Sequence, residues 1–216
     1  QNRTLRKKIY LDESTGLPNK NKCEEILSDP TPLGEEESTA ICVFDLNNLR
    51  IINNNLGHDK GDEYIRSFAE QLRLAVDPEN FVGRDGGDEF IAIFQKTDHS
   101  KMRETLKKIR TQMKNYSAKH PEMPISYAAG YAISLDFAGS TLRELFRLAD
   151  KNMYVDKNRA KIEEAAQKQQ KAYELLEWIK KEKYHFSDCL YCDALMDQYK
   201  ILRSSTGYFI QQIGRA

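Results

Sequence analysis

An α+β domain, with helices around a mostly antiparallel central sheet, is the fold class this sequence predicts. Three observations carry that reading. Apolar residues recur three and four apart, as in Ile65, Phe68, Leu72 and Val76, or Met102, Leu106, Ile109, Met113 and Tyr116, the spacing of amphipathic helices. Short apolar runs at 40–46 (AICVFDL), 90–94 (FIAIF) and 124–135 (PISYAAGYAISL) interrupt those windows and suit buried strands. Two strand-like runs, 81–83 and 90–94, flank RDGGDE, and a Gly-Gly step in so short a connection reads as a hairpin turn.

Taken in order, residues 1–11 are basic with apolar Leu5, Ile9 and Leu11, and are expected to be a helical connector entering from an upstream segment. Gly16 and Pro18 then break any regular element. A short helix is expected through Cys23, Ile26 and Leu27, then a loop over 29–39. The run 40–46 predicts a central strand, NNLRIINNN a helix or turn, and 61–76 a helix. The hairpin follows, then the helix through Met102 and a strand with Gly130 in its interior. Thr141 with Glu144 forms a capping box. It opens a helix whose Leu142, Leu145, Phe146, Ala149 and Met153 share a face. Residues 158–183 are rich in Lys, Glu, Gln and Ala around an apolar stripe, which predicts a long amphipathic helix that either packs back or pairs chains. The tail, 185–216, carries helical apolar spacing with a break at 204–207, so 162–216 is expected to be a helical extension of unassigned role.

Composition narrows the function classes. The 216 residues carry 33 Lys+Arg and 33 Asp+Glu, a formal net charge of zero, which argues against a nucleic-acid-coating or membrane-surface protein. No apolar run approaches the roughly 18–20 residues of a membrane span, and no signal peptide is visible. The chain starts at Gln1 and is expected to be a piece of a longer, cytoplasmic protein. Of the 4 cysteines, Cys23 and Cys42 read as buried thiols. Cys189 and Cys192 form a lone CxxC with only His185 nearby, a weak metal or redox signal.

Asp45 ends the first predicted strand, and Asp88 and Glu89 follow the Gly-Gly turn. Carboxylates at strand ends can meet over one edge of a sheet and offer hard oxygen ligands to Mg²⁺, which usually shares them with phosphate. Gly86 and Gly87 would let a polyphosphate approach the backbone. Taken alone, GGDE also fits an ordinary charged hairpin tip.

RDGGDEF at 84–90 resembles the signature hairpin of the GGDEF family of diguanylate cyclases. DESTGLPNK (12–20) resembles the family's opening motif, and FDLNNLRIINNNLGHDKGDEYI (44–65) its first strand, turn and N-x-x-G-H-x-x-G-D segment. LADKNMYVDKNRAK (148–161) resembles its closing helix. These motifs stand in the family's order and spacing over 12–161. The resemblance implies a palm-like domain there, related to nucleotide cyclases and polymerases. It implies condensation of two GTP into cyclic di-GMP and two pyrophosphates, with Mg²⁺ or Mn²⁺, at a homodimer interface governed by an upstream sensory domain. By position, it assigns metal binding to Asp45, the Leu46 carbonyl, Asp88 and Glu89, with Asp45, Asp88 and Glu89 as the catalytic acids. It assigns guanine reading to Asn53 and Asp62, and phosphate binding to Arg50, Lys157 and Lys161 beside Gly86 and Gly87. His58 is expected to be a structural residue bridging loops, and Arg84 to support the hairpin. Asn47 departs from the family's frequent second Asp. The window Asp77-Pro78-Glu79-Asn80 lacks the R-x-x-D of the product-inhibition site, so inhibition there is not expected. A catalytically silent GTP-binding or partner-binding module is the alternative.

Overall fold

β1 (Thr39–Leu46) is buried at all of its positions, and this is why its sequence is a continuous apolar run rather than an alternating one. The computed structural model describes residues 9–34, 38–182, 201–204 and 207–210, with side chains up to 174 except at 160, 161 and 164. The chain divides into two compact units, Gln1–Lys157 and Asn158–Ala216. In the first, α1 (Lys20–Leu27) precedes β1. Then come α2 (Leu49–Leu56), α3 (His58–Ala75), β2 (Phe81–Arg84), β3 (Glu89–Gln95), α4 (His99–Lys119), β4 (Tyr127–Ile133), a 3₁₀ turn at Ser134–Asp136, and α5 (Leu142–Glu182). The four strands lie in the order β2-β3-β1-β4, every neighbour antiparallel. This is the α+β architecture the sequence predicts.

Alternation along the strands feeds two cores. Cys42, Phe44, Phe90 and Ala92 face α3 and α4, meeting Tyr64, Phe68, Leu72, Met102, Ile109 and Met113. Phe68 stands at the centre, its ring 4.9 Å from that of Phe90 and 6.1 Å from that of Phe44. Each such buried ring contributes on the order of 2–3 kcal/mol. On the other face, Ile41, Val43 and Ile91 meet Cys23 and Leu27 of α1 and Leu145, Ala149 and Met153 of α5. The result is three layers, helices on both sides of one sheet.

Caps fix where the helices begin. The Asn19 side chain accepts from Lys22 N at 3.2 Å, and Asp98 from Lys101 N at 2.9 Å. At the start of α5, Thr141 N donates to Glu144 Oε2 at 2.8 Å and Glu144 N to Thr141 Oγ1 at 3.3 Å, closing the predicted capping box. Gly130 explains itself by contact. A Cβ there would lie 2.0 Å from Met153 N and 2.4 Å from Ala149 O, so the backbone of α5 rests directly on β4.

Of the connector expected at 1–11, residues 1–8 lie outside the described residues. Leu11 forms an isolated bridge to Pro18. The extension is helical as far as Glu182. Ile201–Ser204 (β5) and Gly207–Ile210 (β6) then pair as an antiparallel hairpin, where the spacing of the tail suggests helix. The physical reason is composition. Ile201, Tyr208, Phe209 and Ile210 are β-branched or aromatic, and Ser204 pairs with Gly207 across a two-residue connection. Cys23 and Cys42 are buried free thiols; burial pushes the Cys23 thiol up to about 12 and raises that of Cys42 as well. Cys189 and Cys192 lie outside the described residues. Among these, no helix is long and apolar enough to cross a membrane.

A candidate nucleotide and metal site at the hairpin end of the sheet

β1 delivers Asp45 to the end of the sheet where the β2–β3 hairpin turns. There Asp45 lies opposite Glu89 in the β1–β3 register, and Leu46 N donates to Asp88 O at 2.9 Å. Strand pairing alone therefore gathers the three predicted acids, although Asp45 stands more than forty positions before the other two in the chain. Asp45 is only 6% exposed, and its Oδ1 accepts from Lys157 Nζ of α5 at 2.7 Å. Burial, then the charges of Asp88 and Asp45, push the Glu89 carboxyl above its ordinary value.

This donor set suits a hard cation. Two carboxylates and the Leu46 carbonyl are all oxygen, and the crowding that raises Glu89 marks a local surplus of negative charge. Among the described residues, no three of His, Cys, Asp and Glu gather closely enough to hold a metal unaided. Mg²⁺ asks for less than that. It commonly takes one or two carboxylates and completes its shell with water and substrate phosphates.

Arg84 holds the hairpin. Its Nε donates to Gly86 O at 3.1 Å and its Nη2 to Gly87 O at 2.8 Å. Its Nη1 reaches both oxygens of Asp12 at 3.1 Å. Asp12 is fixed in turn by Thr15, whose N and Oγ1 each donate at 2.8 Å. Burial alone would raise the Asp12 carboxyl, but the Thr15 and Arg84 hydrogen bonds outweigh it and hold it below the usual range. The support expected of Arg84 is thus present, and Asp12 and Thr15 are the functional partners that residue-by-residue reading missed. Their signal was available in the turn chemistry of D-x-x-T-G, which announces a carboxylate fixed by its own loop. Gly87 has open space where a side chain would project, while a Cβ at Gly86 would come within 3.1 Å of Glu89 Oε2.

The remaining predicted residues follow the sheet end on a helix pair. Arg50 is exposed in the first turn of α2, Asn53 is half-buried on α2, and Asp62 is exposed on α3. The Asn53 side chain lies against Gly61. Lys161 is a residue of α5, but its side chain lies outside the described residues. Lys157 meets Asp45 rather than standing free on the helix surface. His58, expected to bridge loops, is instead the exposed first residue of α3. Asn47 has turned away from the acids: its Nδ2 donates to Ser126 Oγ at 3.1 Å, and its carbonyl accepts from Tyr64 Oη at 3.2 Å. In the 77–80 window, Asp77 pairs with Lys108 at 3.0 Å and Asn80 Oδ1 accepts from Gln95 N at 3.4 Å.

A family model described as diguanylate cyclase, GGDEF domain, matches residues 9–163. Diguanylate cyclase DgcP of Pseudomonas aeruginosa is 26% identical over 152 residues, covering 69% of this chain and 22% of that one. Cyclic di-GMP phosphodiesterase PdeR of Escherichia coli is 25% identical over 147 residues, covering 68% of this chain and 22% of that one. The chain thus spans about a fifth of the length of these curated relatives. Among solved structures, a microbial GGDEF domain described with cyclic di-GMP superposes with a TM-score of 0.58 at 26% identity, covering 70% of this chain and 94% of that one.

Proposed function

The chain belongs to the diguanylate cyclase GGDEF-domain family, and from that premise we propose that it condenses two GTP into cyclic di-GMP and two pyrophosphates. The observation that carries the reading is the gathering of Asp45, Asp88 and Glu89 at one sheet end, beside a glycine turn braced by Arg84. Relatives of both names, cyclase and phosphodiesterase, share the domain, so the activity rests on the site rather than on kinship.

Asp45, Asp88 and the Leu46 carbonyl would hold Mg²⁺, or Mn²⁺, with Glu89 beside them. Bound there, the cation would neutralise phosphate charge and sharpen an attacking hydroxyl. Glu89, with its proton affinity raised, is suited to accept the proton of the 3′-hydroxyl. Asn53 can donate and accept at the guanine edge, and Asp62 can accept from its N1–H and N2–H₂, donors that adenine lacks at that edge. Arg50 and Lys157 would hold the phosphates, and the bare backbone at Gly86 and Gly87 lets them approach. Each 3′-hydroxyl must attack the other nucleotide's α-phosphate, so two chains must face each other, and most of the catalysis is positioning and electrostatics. An upstream sensory domain would act by setting that geometry.

The test is incubation of the purified chain with GTP and Mg²⁺ at several protein concentrations, with the nucleotides separated by chromatography. Cyclic di-GMP whose specific yield rises with protein concentration, and vanishes in Asp88→Ala, is the expected result. GTP bound without turnover at every concentration would overturn the proposal in favour of a silent binding module.

A further inference from the structure

We propose that Gly61 is a positioning residue for nucleotide discrimination, keeping open the seat in which the Asn53 amide rests. Gly61 is buried in the first turn of α3, and its N–H donates to Gly57 O at 3.3 Å. A Cβ built on it would lie 1.8 Å from Asn53 Oδ1, 2.8 Å from its Cγ and 3.3 Å from its Nδ2. Every one of these contacts is to the same side-chain amide, and none is to backbone.

Three other reasons for a glycine fail here. Its φ lies outside the left-handed region, unlike that of Gly57 at +89°, so no backbone strain demands it. Helix stability does not ask for it either, since alanine is the better helix former. Nor are the nearest atoms backbone, as those of Met153 and Ala149 are at Gly130. What remains is room, and the Asn53 amide fills that room. A methyl group at 61 meets the far end of a short side chain, which can rotate away at little cost to the fold. The amide then leaves its place, and displacing a positioning group by about 1 Å can cost about a hundredfold.

This inference rests on the reading of Asn53 as a guanine contact, so the experiment separates the two. Affinities for GTP and ATP, with Mg²⁺, are measured by calorimetry on the full chain, Gly61→Ala, Asn53→Ala and the double variant, together with thermal midpoints. The expected result is a Gly61→Ala chain as stable as the parent whose preference for GTP over ATP falls about tenfold or more. Asn53→Ala should show a similar fall, and the double variant should be no worse than Asn53→Ala alone, because the clash has lost its partner. A preserved GTP preference in Gly61→Ala overturns the proposal, as do losses that add in the double variant. A preserved preference in Asn53→Ala overturns the guanine reading itself, and the proposal with it. If Gly61→Ala unfolds, rescue by Asn53→Ala supports the seat, and no rescue overturns it.

Discussion

Lys157 holds Asp45 Oδ1 at 2.7 Å, and a cation arriving at that oxygen must displace an ammonium. Removing the lysine should therefore act in opposite directions on two ligands. Lys157→Met is expected to bind Mn²⁺ alone more tightly and GTP with metal more weakly, each by severalfold, as read by Mn²⁺ paramagnetic resonance and nucleotide titration. Tighter GTP binding in the variant would refute the exchange of Asp45 for phosphate. Asp12 supplies a pH dependence. Its carboxyl is held low when folded, so its contribution is present above the unfolded value of about 4 and is lost as pH falls through the folded value. Asp12→Asn should cost about 1–2 kcal/mol at pH 7, with the gap to the parent closing below about pH 4 in thermal melts. A constant gap would mean that the charge contributes nothing. The acids and glycines of this site were legible because a local motif carries them. The partners were not: Lys157 and Asp45 stand 112 positions apart and Arg84 and Asp12 stand 72 apart, and no local pattern reports such distances.

Elements were legible wherever periodicity and punctuation agreed. The continuous apolar run of β1, the Gly-Gly hairpin and the capping box of α5 each carry one unambiguous signal, and each is found as read. In the tail, the apolar residues at 201–202 and 208–210 suit a helix face and a short strand equally well, and the strand won. Gly130 was legible as a glycine inside a strand but not as the floor of α5, which needs the third dimension. Gly130→Ala is expected to destabilise by about 1–3 kcal/mol, because the obstructing atoms belong to helix backbone and cannot rotate away. Chemical denaturation would measure it, and an unchanged midpoint would mean that α5 lifts from the sheet freely.

On the scale of the whole molecule, the layered unit rests its stability on two apolar cores and brings Asp45, Asp88 and Glu89 together at one end of its sheet. Shape and chemistry thus draw on different residues. The internal ion pair of Lys157 with Asp45 sharpens that separation, because the most buried acid of the site has its counter-charge within the chain itself. Treatment with a chelator is expected to abolish turnover while leaving the melting temperature unchanged; a drop of several degrees would place divalent cations among the supports of the fold. On the proposed function, a chain that carries its own counter-ion would keep its fold through storage in chelating buffer and would turn over only once magnesium salt is returned.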